Sequence, residues 1–111
     1  YQVVIGGSTY TVSGTSASSP VFAGFITLVN NQRAALGKAP VGFLNPALYQ
    51  LAAQKSAVFN DITVGQNNCC AGSPGSQVCC QYGFNATVGW DPLTGLGSVK
   101  FPLLLQALAQ L

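Results

Sequence analysis

Apolar residues fall along this chain in short blocks of different period. Residues 1–5 and 9–12 are β-rich runs on either side of Gly6-Gly7-Ser8, a pattern that predicts a hairpin or a strand-turn-strand. Small residues fill 13–19 and predict a turn, after which Pro20 sits as an early helical residue whose missing N–H costs nothing. Residues 21–36 predict a helix. Its first half, Val-Phe-Ala-Gly-Phe-Ile-Thr-Leu-Val, is apolar on every face, as in helices buried on all sides. Its second half turns polar, and Gly37 provides the stop. Nothing else in the 111 residues offers enough sheet to wrap that first half. The expected partner is therefore upstream sequence or another chain.

Further on, Asn45-Pro46 opens a second helix over about 46–54, with Asn45 as its N-cap. An extended segment is expected over 57–63, a long irregular loop over 65–87, a tight Gly-rich turn segment over 89–97, and an amphipathic closing helix over 101–111. Trp90, Phe59 and Tyr49 are expected to pack in a core. No internal repeat or domain boundary is evident, so the chain reads as one domain or a piece of a larger one. Its start at Tyr1 and its lack of Met read as a processed or truncated N-terminus, in which no signal peptide is expected.

Charge changes this picture by its scarcity. Four basic residues, Arg33, Lys38, Lys55 and Lys100, are scattered, which argues against nucleic-acid binding. The longest apolar run, 21–29, is about half of what a bilayer span needs, so no membrane partner is expected. With two carboxylates and no His, few groups can drive acid unfolding, a composition suited to an acidic compartment.

Four cysteines form two adjacent pairs, Cys69-Cys70 and Cys79-Cys80, within a Gly/Ser/Pro-rich stretch. An even count in one loop reads as a disulfide-stapled segment of undetermined pairing. Four thiolates could also hold zinc, but adjacent pairs differ from the usual two-residue spacing, and disulfides are the favoured reading. Asn85-Ala86-Thr87 is a glycosylation sequon, with Asn85 as acceptor, and fits a secretory context.

Two constellations carry candidate chemistry. Ser16 lies on a turn permitted by Gly14, flanked by small Ala17 and Ser18 and followed by a helix. A hydroxyl becomes a nucleophile when exposed in such a place beside a base, and N–H groups at the helix start can stabilise an oxyanion. Asp61 and Asp91, the only acidic residues, each lie in a loop rich in Gly, Asn or Thr. Hard cations take such mixed carboxylate and carbonyl oxygens, although two loop Asp residues by themselves are more often solvated or turn-forming.

The octapeptide Ser13-Gly14-Thr15-Ser16-Ala17-Ser18-Ser19-Pro20 resembles the active-site serine motif of subtilisin-like peptidases. Within that group it is most similar to the sedolisin family, the serine-carboxyl peptidases; subtilisins usually have Met-Ala where this chain has Ala17-Ser18. Three further segments resemble sedolisin motifs, in order: 42–49 (Gly-Phe-Leu-Asn-Pro-Ala-Leu-Tyr), 59–65 (Phe-Asn-Asp-Ile-Thr-Val-Gly) and 89–97 (Gly-Trp-Asp-Pro-Leu-Thr-Gly-Leu-Gly). The resemblance thus runs from end to end. It implies an α/β fold, the subtilisin-like doubly wound sandwich, of which residues 1–111 are the C-terminal segment. The nucleophile segment is 13–20 and the calcium-binding region 61–91. One calcium ion is implied, on the carboxylates of Asp61 and Asp91 and the carbonyls of Ile62, Thr87 and Gly89. Family members often have Gly where Thr87 stands, and a Thr there limits the backbone geometry.

The same resemblance implies that Ser16 forms an acyl-enzyme with a peptide or protein substrate at acid pH. Its base would be a Glu supported by an Asp, with a further Asp at the oxyanion hole, all upstream of the serine. This chain has no acidic residue before Asp61 and no His, so it holds neither that set nor a Ser-His-Asp triad. Inactivity in isolation is expected, with the upstream part of the domain as partner, continuous or as a separate chain, in a secreted, lysosomal or vacuolar setting. Two other readings remain: a subtilisin-type peptidase with an upstream His, and a non-catalytic, disulfide-stapled calcium-binding module. An upstream Glu-x-x-x-Asp or His motif separates the first two. Cooperative unfolding of the isolated chain would support the third.

Overall fold

The computed structural model describes residues 1–54, 56–70 and 75–111. Lys55, one of the four scattered basic residues, and residues 71–74 of the cysteine-bearing loop lie outside the described residues. The chain divides into two compact units, residues 1–42 with 105–111 and residues 43–104. Both sheets among the described residues are two-stranded and antiparallel.

The first unit begins with the expected hairpin. Strands β1 (Gln2–Ile5) and β2 (Ser8–Thr11) pair with Gln2 opposite Thr11 and Ile5 opposite Ser8. Tyr1 and Val12 extend the ladder by exchanging backbone hydrogen bonds of 2.8 and 2.9 Å. Helix α1 (Thr15–Ala35) then begins at Thr15 rather than at residue 21. The small residues read as a turn are its first turns. Pro20 consequently lies inside the helix, where it withholds the N–H that the Ser16 carbonyl would accept.

All-round burial of the first half of α1 is not met within the described residues. Val21 and Leu28 are 36% and 52% exposed, Phe22, Phe25 and Ile26 are half-buried, and the buried residues of α1 are Val29 and Arg33. Gly37 does stop the helix, through paired hydrogen bonds from Gly37 N–H to Ala34 and from Lys38 N–H to Arg33. Arg33, one of the four basic residues scattered along the sequence, is 8% exposed. Its guanidinium donates to the carbonyls of Ala39 (2.7 Å), Leu108 (2.8 Å) and Leu111 (3.1 Å), and Lys38 Nζ donates to that of Ala109 (3.2 Å). Helix ends leave carbonyls unpaired and carry partial negative charge. These two cations therefore cap the C-terminal end of α3 (Phe101–Ala109), whose Leu108 and Ala109 are buried in this unit.

In the second unit, α2 (Asn45–Gln54) buries Leu51 and leads through a 3-10 turn, Ser56–Val58, into β3 (Phe59–Asn60). The expected extended segment is thus shorter and half helical. β3 pairs with β4 (Ser98–Val99), Phe59 opposite Val99 and Asn60 opposite Ser98, and Lys100 N–H continues the ladder to Val58 at 2.8 Å. The loop expected to be irregular is a ribbon over much of its length. Gln66 pairs with Asn85 and Cys69 with Cys79, with flanking backbone bonds from Ala86 to Gly65, Asn67 to Phe84, Cys70 to Val78 and Cys80 to Asn68. Trp90 and Tyr49 are 58% and 54% exposed, against the expectation of core packing, whereas Phe59 is half-buried. No described helix is long and apolar enough to cross a membrane.

Candidate active site and loop carboxylates

Ser16 is the second residue of α1 and is exposed. Gly14 precedes the helix at φ 134° and ψ 158°, a conformation that side-chain-bearing residues rarely adopt, and, lacking a side chain, it makes no side-chain cap. The Gly14 carbonyl accepts from Ala17 N–H (3.0 Å) and Ser18 N–H (3.2 Å). The N–H groups of Thr15 and Ser16, ahead of the first helical hydrogen bond, are left without such a partner. No acidic residue lies in this first turn. The Ser16 hydroxyl makes no side-chain hydrogen bond among the described residues, whereas its neighbour Ser18 accepts from the Tyr1 hydroxyl at 3.2 Å. A free hydroxyl and a free N–H of one residue thus share the positive end of a 21-residue helix. That is the arrangement in which a nucleophile and an oxyanion donor act together.

Ser16 also lines an open groove of about 590 Å³ in the first unit. The helix side is Ser16, Ala17, Pro20 and Val21, and the hairpin side includes Val3 and Val12. Sequence patterning did not reveal it, because the groove depends on α1 beginning before Pro20 and on the hairpin folding back along the helix start.

The two carboxylates belong to the second unit, and the same short loop reaches both. Gly89 N–H donates to Asp61 Oδ2 at 2.7 Å, and Thr87 N–H donates to Asp91 Oδ2 at 3.1 Å. Asp61 is exposed, but Asp91 is 1% exposed. Asp91 Oδ1 accepts from Leu93 N–H (2.9 Å) and Thr94 N–H (2.7 Å), and the Thr94 hydroxyl lies 3.2 Å from both oxygens. Backbone bonds between Asp91 and Gly95, 2.9 and 3.3 Å, close the turn. The hydrogen bond from Thr94 N–H, then that from Thr87 N–H, holds the Asp91 carboxyl below its ordinary range; desolvation opposes this, and Leu93 N–H and the Thr94 hydroxyl add to it. With its folded value lowered, Asp91 contributes stability above the unfolded-state range, and loses it as pH falls through the lowered value. The contribution therefore persists into mildly acidic solution.

Of the five residues expected to bind a cation, four are joined pairwise by these hydrogen bonds: Asp61 with Gly89, and Asp91 with Thr87. Ile62 follows Asp61 directly and is exposed. Pattern reading missed what sets Asp61 in place. Gly97, at φ 83°, backs onto the Asn60–Asp61 backbone so closely that a Cβ there would overlap the Asn60 carbonyl.

The cysteines divide. Cys69 and Cys79 form a disulfide, which removes two of the thiolates a zinc site would need. Cys70 and Cys80, expected to take part in disulfides, are free and exposed. The register explains this. With Cys69 opposite Cys79, successive side chains alternate in face, so Cys70 and Cys80 lie on the other face, beside Val78 and Asn68. Asn85 is exposed at the edge of the ribbon.

No protein-family model matches the chain. Curated relatives do. It is 43% identical to physarolisin of Physarum polycephalum over 106 residues, which cover 95% of this chain and 17% of that protein. Tripeptidyl-peptidase sed1 of Aspergillus fumigatus is 49% identical over 94 residues, 85% of this chain and 13% of its own length. Human tripeptidyl-peptidase 1 is 47% identical over 97 residues, 87% of this chain and 16% of its own length. These relatives are peptidases, and the level and extent of identity settle the class. The chain belongs to the sedolisin family, and spans less than a fifth of the length of these three relatives.

Gly97→Ala is expected to combine a strained backbone with a collision against Asn60. Urea unfolding of the full-length protein should show a loss of about 2 kcal/mol or more; an unchanged midpoint would mean that the strand junction does not hold Asp61.

Proposed function

We propose that this chain is the serine-bearing, C-terminal part of the catalytic domain of a serine-carboxyl peptidase that hydrolyses peptide bonds at acid pH. The observation carrying this reading is the free Ser16 hydroxyl beside its own free N–H at the start of α1, in a chain of sedolisin sequence. The whole domain would have the subtilisin-like doubly wound sandwich. Its upstream part, continuous or as a separate chain, would bring the Glu base, its supporting Asp and the oxyanion-hole Asp.

Ser16 Oγ attacks the substrate carbonyl carbon as its proton passes to the Glu. The new oxyanion is stabilised in part by the Ser16 N–H. Collapse breaks the C–N bond and the Glu returns the proton to the departing amine, leaving an acyl ester on Ser16. Water, deprotonated by the same Glu, then releases the second product. Ser16→Ala is expected to lower kcat of the full-length enzyme on a peptide substrate at acid pH by about 10³-fold or more. Turnover near the wild-type rate would overturn the assignment.

A calcium ion fits the oxygen donors of the 61–91 region. Asp61 Oδ1 carries no hydrogen bond among the described residues, and Asp91 Oδ2 receives one backbone N–H and lies 3.2 Å from the Thr94 hydroxyl, which it shares with Oδ1, so Asp61 above all retains acceptor capacity. Asp61 and Asp91 would hold the ion with the carbonyls of Ile62, Thr87 and Gly89. The ion would offset the negative charge and tie the loops, taking no part in the chemical step. Chelation of the full-length enzyme should lower its melting temperature, and Asp61→Asn should abolish that dependence. Asp91→Asn should destabilise even the chelated protein, because it disturbs the turn itself. Melting temperatures indifferent to calcium would refute the site.

The sequon at Asn85 supports an N-linked glycan there, and with it passage through a secretory route to a secreted, lysosomal or vacuolar location. Glycosidase treatment of protein from its natural source should reduce the mass of the peptide carrying Asn85; an unmodified peptide there would refute this.

A further inference from the structure

We propose that the cysteine ribbon of the second unit has a further, doubly bonded state, one residue out of step with the register described above, in which Cys69 bonds Cys80 and Cys70 bonds Cys79. In the described register Cys69 faces Cys79, and their disulfide leaves Cys70 and Cys80 free and exposed. Backbone bonds from Cys70 to Val78 and from Cys80 to Asn68 set those two residues opposite the free thiols. Cys70 and Cys80 are therefore diagonal neighbours, roughly 7–8 Å apart. A disulfide needs Cβ atoms about 3.5–4.5 Å apart, so this register holds one bond and no second. A slip of one residue changes that. With Cys70 opposite Cys79, Cys69 falls opposite Cys80. Directly opposed residues of an antiparallel pair have Cα atoms about 4.5 or 5.5 Å apart, both within the span of a disulfide.

The chain already carries the slack for this slip. Gln66 pairs with Asn85 and Cys69 with Cys79, so residues 67–68 on one strand face 80–84 on the other, an excess of three on the return strand. Gly83 accommodates the excess by packing on Asn68, so closely that a Cβ would lie 2.6 Å from the Asn68 Cβ. With Cys69 opposite Cys80, residues 67–68 face 81–84 and the excess falls to two. The bonds flanking Gln66 and Asn85, from Ala86 to Gly65 and from Asn67 to Phe84, keep their register, so the loops of Asp61 and Asp91 need not move. Residues 75–85 are exposed on both faces of the ribbon, and a strand with no buried face specifies its register weakly.

The chemistry balances in two steps. Cys70 thiolate attacks Cys79 Sγ, forms the Cys70–Cys79 bond and expels Cys69 as thiolate, with no net oxidation. Cys80 thiolate attacks a low-molecular-weight disulfide of the glutathione class and releases one small thiol. Cys69 thiolate then attacks Cys80 in that mixed disulfide, forming Cys69–Cys80 and releasing the second small thiol. Two protein thiols are oxidised and one small disulfide is reduced; the released thiolates take up the protons given up by Cys70 and Cys80. The oxidant alone rests on the secretory reading above.

The test equilibrates full-length protein in glutathione buffers, alkylates its free thiols and maps its disulfides by fragmentation between the adjacent cysteines. As the buffer becomes more oxidising, Cys69–Cys79 with two alkylated cysteines should give way to Cys69–Cys80 and Cys70–Cys79 with none of the four alkylated. Double variants separate the registers. Cys69→Ser with Cys80→Ser leaves Cys70 and Cys79, and Cys70→Ser with Cys79→Ser leaves Cys69 and Cys80. Each pair should close within about tenfold of the glutathione ratio that closes Cys69 with Cys79 when Cys70→Ser and Cys80→Ser are combined. Cys70 and Cys80, left by Cys69→Ser with Cys79→Ser, oppose each other in neither register and should need a ratio about a hundredfold more oxidising. Two thiols that stay free in the wild type, ready closure of Cys70 with Cys80, or a bond from either to a cysteine elsewhere in the full-length protein overturns the proposal. If a double variant fails to accumulate, the wild-type map decides. Glutathione supplied in the buffer makes these outcomes independent of the secretory reading, which the glycosidase experiment tests separately.

Discussion

The second unit is organised around the carboxylate of Asp91. This is one of only two acidic side chains in the molecule, and it is almost wholly buried. A carboxylate withdrawn from water must be met by donors, and here they come from the backbone on both sides of it, Thr87 before and Leu93 and Thr94 after. One side chain therefore fixes the path of residues 87–95. That path decides where Gly89 presents its N–H to Asp61, and where the chain re-enters the sheet at β4. Gly97, pressed against Asn60, locks the far end of the same excursion. The two carboxylates are tied to one loop by backbone geometry, before any ion is considered.

Much of this was legible in the sequence, for identifiable reasons. The hairpin was visible because two β-rich runs flank Gly6-Gly7, and the end of α1 because Gly37 follows a periodic polar stretch. The start of α1 was misplaced because Pro20 invites a helix to begin at it. The structure instead begins the helix at Thr15, behind Gly14, and leaves the Ser16 carbonyl without its helical donor. The free cysteines could not be anticipated, since register depends on which residues pair across the ribbon, and a one-residue change exchanges the faces. Arg33 was hidden for a similar reason: its acceptors, Leu108 and Leu111, lie at the far end of the chain.

The first unit has the opposite electrostatic character. Its single buried cationic side chain serves backbone carbonyls rather than a carboxylate, and its first 32 residues bear no charged side chain. Exposed Val21 and Leu28 on α1, together with Val4 and Ile5 on β1, leave much apolar surface in contact with water. Monomeric proteins rarely expose contiguous apolar patches of large extent. This surface and the short span of the relatives that the chain covers bear on the same proposal, a larger catalytic domain in which neighbouring segments cover α1.

The uncharged surroundings of Ser16 bear on the proposed chemistry as well as on packing. A carboxylate base is effective in acid only if it stays ionised there, and a nearby anion would raise its pKa. This chain brings no carboxylate to the first turn of α1, and it presents the positive end of a long helix and a free N–H at that point. In the proposed enzyme an incoming Glu would meet a field that favours its ionised form and a hydroxyl with no competing side-chain partner.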